Sequence, residues 1–149
     1  MPISLQNRQR AIRVDLPWLR RFAALALAPA ADCSDDGRFA LRALEEIEVT
    51  LVSDRTIARI HQEFMSMPDA TDVITFEHGE LIISAETARR RAPEFGLRLE
   101  EEIALYTVHG LLHLNGFEDA DPKDASRMRA AQSRIWKSCL AQLPSPVSP

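Results

Sequence analysis

The chain has 149 residues, 46% of them hydrophobic and 27% charged, a composition that suits one globular domain with its own core. No apolar run reaches the roughly 20 residues that a membrane-spanning helix needs, and the apolar residues 22–31 are too few and too far into the chain for a signal peptide. We therefore expect a cytoplasmic protein without a membrane partner. The net charge of −4 argues against binding nucleic acid through the overall field. The arginine clusters at positions 8–13, 20–21 and 89–91 are typical of solvated faces, and a local phosphate track of an RNA enzyme is the alternative for one of them.

The first third of the chain predicts a strand, a helix and a loop. Residues 3–14 alternate loosely and should contain a strand, after which Asp15 is expected to cap a helix that ends near residue 28. Residues 29–38 begin with Pro29 and continue with a polar run, so we expect a mobile loop there. Cys33 and Cys139 lack metal-ligand spacing, which favours two unpaired thiols.

The middle of the chain predicts three strands and two helices. Residues 47–52 alternate and are β-branched, as in a half-buried strand, and Pro68 should end the helix that follows. Residues 72–76 and 80–84 predict two strands joined by a hairpin-like connection. Ser84 is expected to cap a further helix that stops around residue 96.

Residues 99–115 predict a helix that is apolar around most of its circumference, which is typical of a buried helix. We expect Leu105, Val108 and Leu112 in the core and His109 at a cleft. Gly116 is the expected residue directly after the helix.

The end of the chain predicts one more helix and a tail. Asp121 and Pro122 have the residue types of an N-cap and a first helical position, and this helix should run to about residue 143. The tail, residues 144–149, is rich in Pro and Ser and predicts disorder. Because helices and strands interleave around one hairpin, the sequence predicts a single α+β domain over residues 1–143, a small mixed β-sheet of about four strands packed with helices around one buried central helix.

The predicted buried helix carries the chemistry, since His109 and His113 are four residues apart and project from one face. Imidazole is the commonest metal ligand, and two of them on one buried face indicate a metal site more than two separately satisfied core residues. The intervening residues do not include the glutamate of the H-E-x-x-H protease pattern. Gly110 between them suggests a close approach of another backbone or a substrate.

A third ligand is expected just after this helix. Asp119 lies six residues past His113, where the chain can fold back over the histidines, and two imidazoles with one carboxylate leave a position open for water. Glu118 and Asp121 compete for this role, although Asp121 has a better explanation as a cap.

The segment from His109 to Asp119, H-G-L-L-H-L-N-G-F-E-D, resembles the signature H-G-x-L-H-L-x-G-[YF]-D-H of the YbeY-type endoribonucleases. Residues 71–76, T-D-V-I-T-F, and residues 79–84, G-E-L-I-I-S, are similar to two further segments of that family in the same order. The resemblance implies a zinc-dependent endoribonuclease of α+β fold that cleaves single-stranded RNA, with one Zn²⁺ per chain at the base of a cleft. It also implies roles in ribosomal RNA maturation and ribosome quality control, with ribosomal RNA or the small ribosomal subunit as partner and no DNA substrate.

The resemblance assigns His109 and His113 as catalytic residues and metal ligands, with Asp119 as the third ligand where the family has its last histidine. Glu118 replaces the preceding aspartate, and Met65 stands where the family usually has an arginine thought to assist cleavage. For His78, in the predicted hairpin, three interpretations stay open: a surface residue of the hairpin, the rival third ligand, or a cleft residue in place of the missing arginine. Glu118 is a further candidate for the cleft. The missing arginine leaves open an alternative function, a ribosome-associated assembly factor with a structural or vestigial metal site.

Overall fold

The structure is a computed structural model that describes residues 2–34, 37, 39–65 and 72–147, without the side chain of Met65. Four strands form one mixed sheet in the order β1-β2-β4-β3, in which β3 pairs antiparallel to β4 and the other pairs are parallel. The strands are β1 (Ile3–Asn7), β2 (Ile47–Val52), β3 (Val73–Phe76) and β4 (Glu80–Ser84). The helices are α1 (Leu16–Asp32), α2 (Asp54–Met65), α3 (Ala85–Arg91), α4 (Leu99–Leu114) and α5 (Pro122–Leu140). This architecture confirms the predicted α+β fold with a four-stranded mixed sheet.

The sheet buries both faces because its apolar side chains alternate between them. Leu81 and Ile83 of β4 belong to the main core with α1, α4 and α5, whereas Ile82 belongs to a smaller cluster with Ile57 of α2. Helices therefore cover the sheet on both sides. Among the described residues, no helix is long and apolar enough to span a membrane.

Helix α4 is the central helix that the sequence predicts, and it contacts α1, α3, α5, β3 and β4. Val108 and Leu112 are fully buried, whereas Leu105 is only half-buried, contrary to expectation, because it lines a cavity. Gly110 lets the helix approach the sheet: a Cβ at this position would lie 2.7 Å from the Leu81 side chain. The expected close approach therefore involves a core side chain, not another backbone or a substrate.

Helix α1 continues through Pro29 to Asp32, so the prediction of a loop from residue 29 is wrong for this last turn. The reason is tertiary: the Asn115 side-chain amide donates to the backbone carbonyls of Ala30, at 3.0 Å, and Cys33, at 2.6 Å. The bond to Cys33 pairs a carbonyl just past the helix end, and the bond to Ala30 adds a second donor to a carbonyl that already accepts from the Cys33 N–H at 3.3 Å. The expected mobile loop then reduces to residues 33–38, of which 35, 36 and 38 lie outside the described residues.

Most other boundaries agree with prediction. Asp15 and Ser84 accept hydrogen bonds as N-caps, as does Asp121, whose Oδ1 accepts from two backbone N–H groups of α5. Helix α5 ends at Leu140, three residues before the predicted end. Pro68, the predicted stop of α2, lies outside the described residues, and the backbone helix ends at Met65.

Residues 144–147 of the expected disordered tail pack onto the helices instead. The indole N–H of Trp18 donates to the Pro144 carbonyl at 2.7 Å, and the Val147 N–H donates to Asp15 Oδ2 at 2.7 Å. The Arg98 side chain also donates to the Pro146 carbonyl at 3.1 Å. The buried indole needs an acceptor, which the local proline and serine pattern does not reveal.

Candidate metal centre

Two imidazoles converge on one face of α4. His109 and His113 are one helical turn apart, and their Nε2 atoms lie 3.1 Å from each other. Each ring is about three-quarters buried, with side-chain exposures of 27% and 24%. The helical spacing therefore brings two potential ligand atoms to one point beside the core.

A carboxylate completes this group. The chain turns at Gly116, whose φ is 99°, and the Phe117 N–H returns to the Leu112 carbonyl at 3.0 Å. This turn brings Asp119 Oδ2 to 3.7 Å from His109 Nε2 and 3.6 Å from His113 Nε2. Within the described residues, these three side chains form the group of His, Cys, Asp and Glu residues that could hold a metal ion, with ligand atoms within 4.8 Å of one another.

Neighbouring acceptors orient both rings. His109 Nδ1 lies 2.7 Å from Gln132 Oε1 of α5, and His113 Nδ1 lies 2.9 Å from the Phe117 carbonyl oxygen. Since both oxygens accept, each neutral ring carries its proton on Nδ1 and directs the Nε2 lone pair toward Asp119. Burial lowers the pKa of His109 despite the hydrogen bond to Gln132, which further favours the neutral, metal-binding form.

This donor set fits a divalent cation. Two Nε2 lone pairs and a carboxylate oxygen face one another at short distance, an arrangement that is repulsive unless a cation or a proton lies between them. Two imidazoles and one carboxylate suit zinc and leave a coordination position open for chemistry.

The group lies where two adjoining cavities meet. A cavity of about 390 Å³ contains His109, Asp119 and Asp72 in its wall, and a second one of about 440 Å³ is lined by both histidines with Glu77 and Glu118. We call the two cavities together the cleft. Several carboxylates near the two imidazoles attract a cation and repel a phosphate until a cation is bound.

The other predicted site residues lie in different surroundings. Glu118 is exposed and lines the cleft, as expected, whereas Asp121 caps α5. His78 is exposed and stacks on Phe76, with ring centroids 5.8 Å apart, and it does not belong to the group that could hold a metal. The side chain of Met65 lies outside the described residues.

Helix α5 contributes side chains to the site that the sequence patterns did not predict. Arg129 and Gln132 line the cleft beside His109, and Arg129 is the cation of this wall. The two residues lie three positions apart, and Ala125 and Met128 line the same cavity. Spacings of three, four and seven residues mark one helix face, but only the packing of α5 against α4 shows that this face turns to the histidines.

The three arginines at 89–91 are not a plain solvated face. Arg90 pairs with Asp54 of α2, and Arg91 pairs with Asp72 at 2.9 Å. The carboxylate of Asp54 has a lowered pKa: burial acts to raise it, but donors from Ser84 and other α3 neighbours outweigh that effect. Two members of the cluster therefore join α3 to α2 and to the cleft wall.

Fold and site together define an α+β protein with a candidate metal centre on its buried central helix. The sequence model of the family Endoribonuclease YbeY matches residues 4–139. The chain therefore belongs to the endoribonuclease YbeY family, as the resemblance of its motifs predicts.

Individual relatives agree with this membership. The Endoribonuclease YbeY of Porphyromonas gingivalis strain W83 is 36% identical over 128 residues, which are 81% of this chain and 82% of the relative. That of Myxococcus xanthus is 39% identical over 103 residues, which are 60% of this chain but 35% of the longer relative. The solution structure of TM1509 from Thermotoga maritima has the same fold, with a TM-score of 0.64, 22% identity, and coverage of 94% of this chain and 90% of that one.

Proposed function

We propose that this protein is a metal-dependent endoribonuclease that cleaves single-stranded RNA. The observation that carries the proposal is the convergence of His109, His113 and Asp119 at the cleft in a chain of an endoribonuclease family. The preference for single-stranded RNA over duplex RNA or DNA comes from the resemblance of the motifs to that family.

Zinc is the metal that we propose, one ion per chain, held by the two Nε2 atoms and the Asp119 carboxylate. Such an ion would supply Lewis-acid polarisation of a phosphoryl oxygen and would activate a water molecule for attack. Gln132 and the Phe117 carbonyl hold the two rings in the orientation and tautomer that this role requires.

Arg129 is the residue that we propose for binding the scissile phosphate. It is exposed on the cleft wall next to His109, and a guanidinium binds phosphate oxygens through two parallel hydrogen bonds. Met65 stands at the position of the family's usual arginine, so Arg129 of α5 would supply the positive charge from another element.

Family membership also supports a proposal for the cellular role. We propose that the protein acts in the cytoplasm on ribosomal RNA, in maturation of the small ribosomal subunit and in ribosome quality control. The alternative, an assembly factor that binds the ribosome with a structural or vestigial metal site, is supported by the methionine at position 65.

The test is cleavage of a single-stranded RNA by the purified chain, with duplex RNA and single-stranded DNA of the same sequence as comparison substrates. We expect cleavage of the single-stranded RNA alone, its loss in chelator, and its return on adding zinc. His109→Ala and His113→Ala should each lower the rate at least about 100-fold, because each removes a ligand. His78→Ala is the matched control and should keep the rate of the unchanged chain.

Arg129→Ala separates phosphate binding from metal binding. We expect a rate about 10- to 100-fold lower with zinc affinity unchanged, since the lost group contacts substrate and not the ion. Full activity of a metal-stripped sample would contradict the catalytic metal. Zinc binding without any RNA cleavage would instead favour the assembly factor.

A further inference from the structure

A separate cavity of about 620 Å³ adjoins the cleft. Leu105 lines both spaces, and Arg91, in the wall of this cavity, pairs with Asp72 in the wall of the cleft. The other lining residues are Glu94, Phe95, Leu97, Glu102 and Trp136. A largely apolar wall with a few polar groups is typical of a small-molecule or cofactor pocket, and this one shares a lining residue with the cleft that contains the candidate metal centre.

The wall contains a buried carboxylate with one unpaired oxygen. Glu102 is 2% exposed, and its Oε2 accepts a hydrogen bond from the Tyr106 hydroxyl at 2.8 Å. Its Oε1 is buried and has no hydrogen-bond partner among the described residues. Burial and the neighbouring Glu102 raise the pKa of Tyr106, so the phenol stays protonated and keeps donating to Oε2. An acceptor without a donor is costly inside a protein, so a ligand that brings an N–H group to Oε1 would remove this cost. Because the oxygen is buried, the Glu102 carboxylate has to turn toward the cavity to meet such a ligand.

Two aromatic rings border the same space. Phe95 is 67% exposed, an unusual position for a phenyl ring, and follows α3 in a short turn over Ala92–Phe95. Trp136 is held by its indole N–H, which donates to the Glu101 carbonyl at 2.9 Å. Exposed or half-buried aromatic faces stack on nucleobases in proteins that bind single strands.

We propose that this cavity binds a guanine base of the RNA substrate. The inference rests on the proposed function, because the guanine would belong to the RNA that the protein cleaves. Guanine is the base whose Watson–Crick edge carries two adjacent donors, N1–H and the N2 amino group, and a carboxylate accepts both. Its O6 and N7 are acceptors that suit a guanidinium such as that of Arg91.

Other occupants fit less well. Adenine and cytosine present one exocyclic amino group beside an acceptor, which the carboxylate repels, and uracil presents a single N–H between two carbonyl groups. A cationic side chain of a protein partner would suit the carboxylates of Glu94 and Glu102 and the aromatic rings, but it offers no acceptor to the Arg91 guanidinium, as guanine does with O6 and N7.

The experiment measures binding of GMP, IMP, AMP and UMP to the full chain by isothermal titration calorimetry. None of these has a phosphodiester bond to cleave, and IMP differs from GMP only by the missing N2 amino group. We expect GMP to bind about 10-fold more tightly than IMP or AMP. Glu102→Gln should bring the affinity for GMP down to that for IMP, whereas Glu45→Gln, the same charge change at an exposed residue outside the cavity, should leave it unchanged.

A second variant covers the event that Glu102→Gln does not fold. Phe95→Ala removes an exposed ring and should weaken GMP and AMP alike by about 10-fold, because stacking does not depend on base identity. Equal binding of all four nucleotides, or GMP selectivity that survives in Glu102→Gln, would overturn the proposal. So would arginine methyl ester binding that depends on Glu102 without nucleotide binding, which would assign the cavity to a protein partner.

The outcomes distinguish this inference from the proposed function. RNA cleavage without GMP selectivity would contradict the proposed guanine site and support the proposed endoribonuclease activity. GMP selectivity without RNA cleavage would support the proposed guanine site and contradict the proposed endoribonuclease activity.

Discussion

Asp119 is the candidate ligand that α4 does not carry. Its carboxylate is half exposed and depends on the turn at Gly116 for its place beside the histidines. We expect Asp119→Ala to lower zinc affinity at least about 10-fold, because a two-ligand site remains, and Asp119→His to retain or strengthen binding, because imidazole is the more usual zinc ligand. Titration calorimetry with zinc measures all of these affinities.

His78→Ala is the control for that series. His78 stacks on Phe76 and lies outside the ligand group, so its loss should leave zinc affinity unchanged. Release of zinc by His78→Ala, with tight binding kept in Asp119→Ala, would assign the third ligand to the hairpin.

The pKa of His109 predicts how the metal-free protein responds to acid. Burial lowers this pKa from the usual value of 6.5, so the unfolded chain binds the proton more readily than the folded one. Stability from the neutral ring is therefore fully present above about pH 6.5 and is lost as the pH falls below that value. Urea unfolding between pH 5 and 8 should show that the free energy of unfolding falls with falling pH, and His109→Gln should reduce the slope of this dependence. A slope that persists unchanged in His109→Gln would assign it to other groups.

At the scale of elements, Asn115 joins the end of α4 to the end of α1. Besides its bonds to Ala30 and Cys33, its Oδ1 accepts from the Leu41 N–H at 2.9 Å. We expect Asn115→Ala to lower the free energy of unfolding by about 2–4 kcal/mol, because buried backbone groups lose their partners. The measurement is urea denaturation followed by circular dichroism.

Gln142→Ala is the matched control for Asn115→Ala. Gln142 also donates from its amide to a backbone carbonyl, that of Ser138 at 3.2 Å, but it is exposed. Its loss should change stability by less than about 0.5 kcal/mol. If both variants lost the same free energy of unfolding, burial of the Asn115 hydrogen bonds would not be the cause of the loss in Asn115→Ala.

At the scale of the whole molecule, residues 144–147 bring the end of the chain back to α1 and to the start of α4. Deletion of residues 144–149 leaves the indole N–H of the buried Trp18 without its acceptor. We expect a loss of about 1–3 kcal/mol in unfolding free energy. Thermal and urea denaturation should show it, with deletion of residues 148–149 alone as the neutral control.

Trp18→Phe tests the cause of that loss. It removes the same donor, so in combination with the deletion the two effects should be less than additive. Full additivity would mean that the tail acts through other contacts.

Several features were determined by the sequence alone because they depend on local geometry. The strand and helix order, the caps at Asp15, Ser84 and Asp121, and the shared face of His109 and His113 follow from spacings of two to four residues. These spacings act within one or two turns of chain, so no knowledge of distant residues is needed. The motif around the histidines also indicated the family.

Only the tertiary structure decided the features that join residues distant in sequence. Pro29 predicts a helix end, but Asn115, far along the chain, holds the last turn of α1. Arg129 lines the cleft, and the tail packs on Trp18, because of helix packing that no local pattern encodes. That Asp119, and not His78, groups with the two histidines likewise depends on distances that arise when a turn folds back over a buried helix. Contacts between distant segments require the whole core to form, and a pattern read along the chain does not contain them.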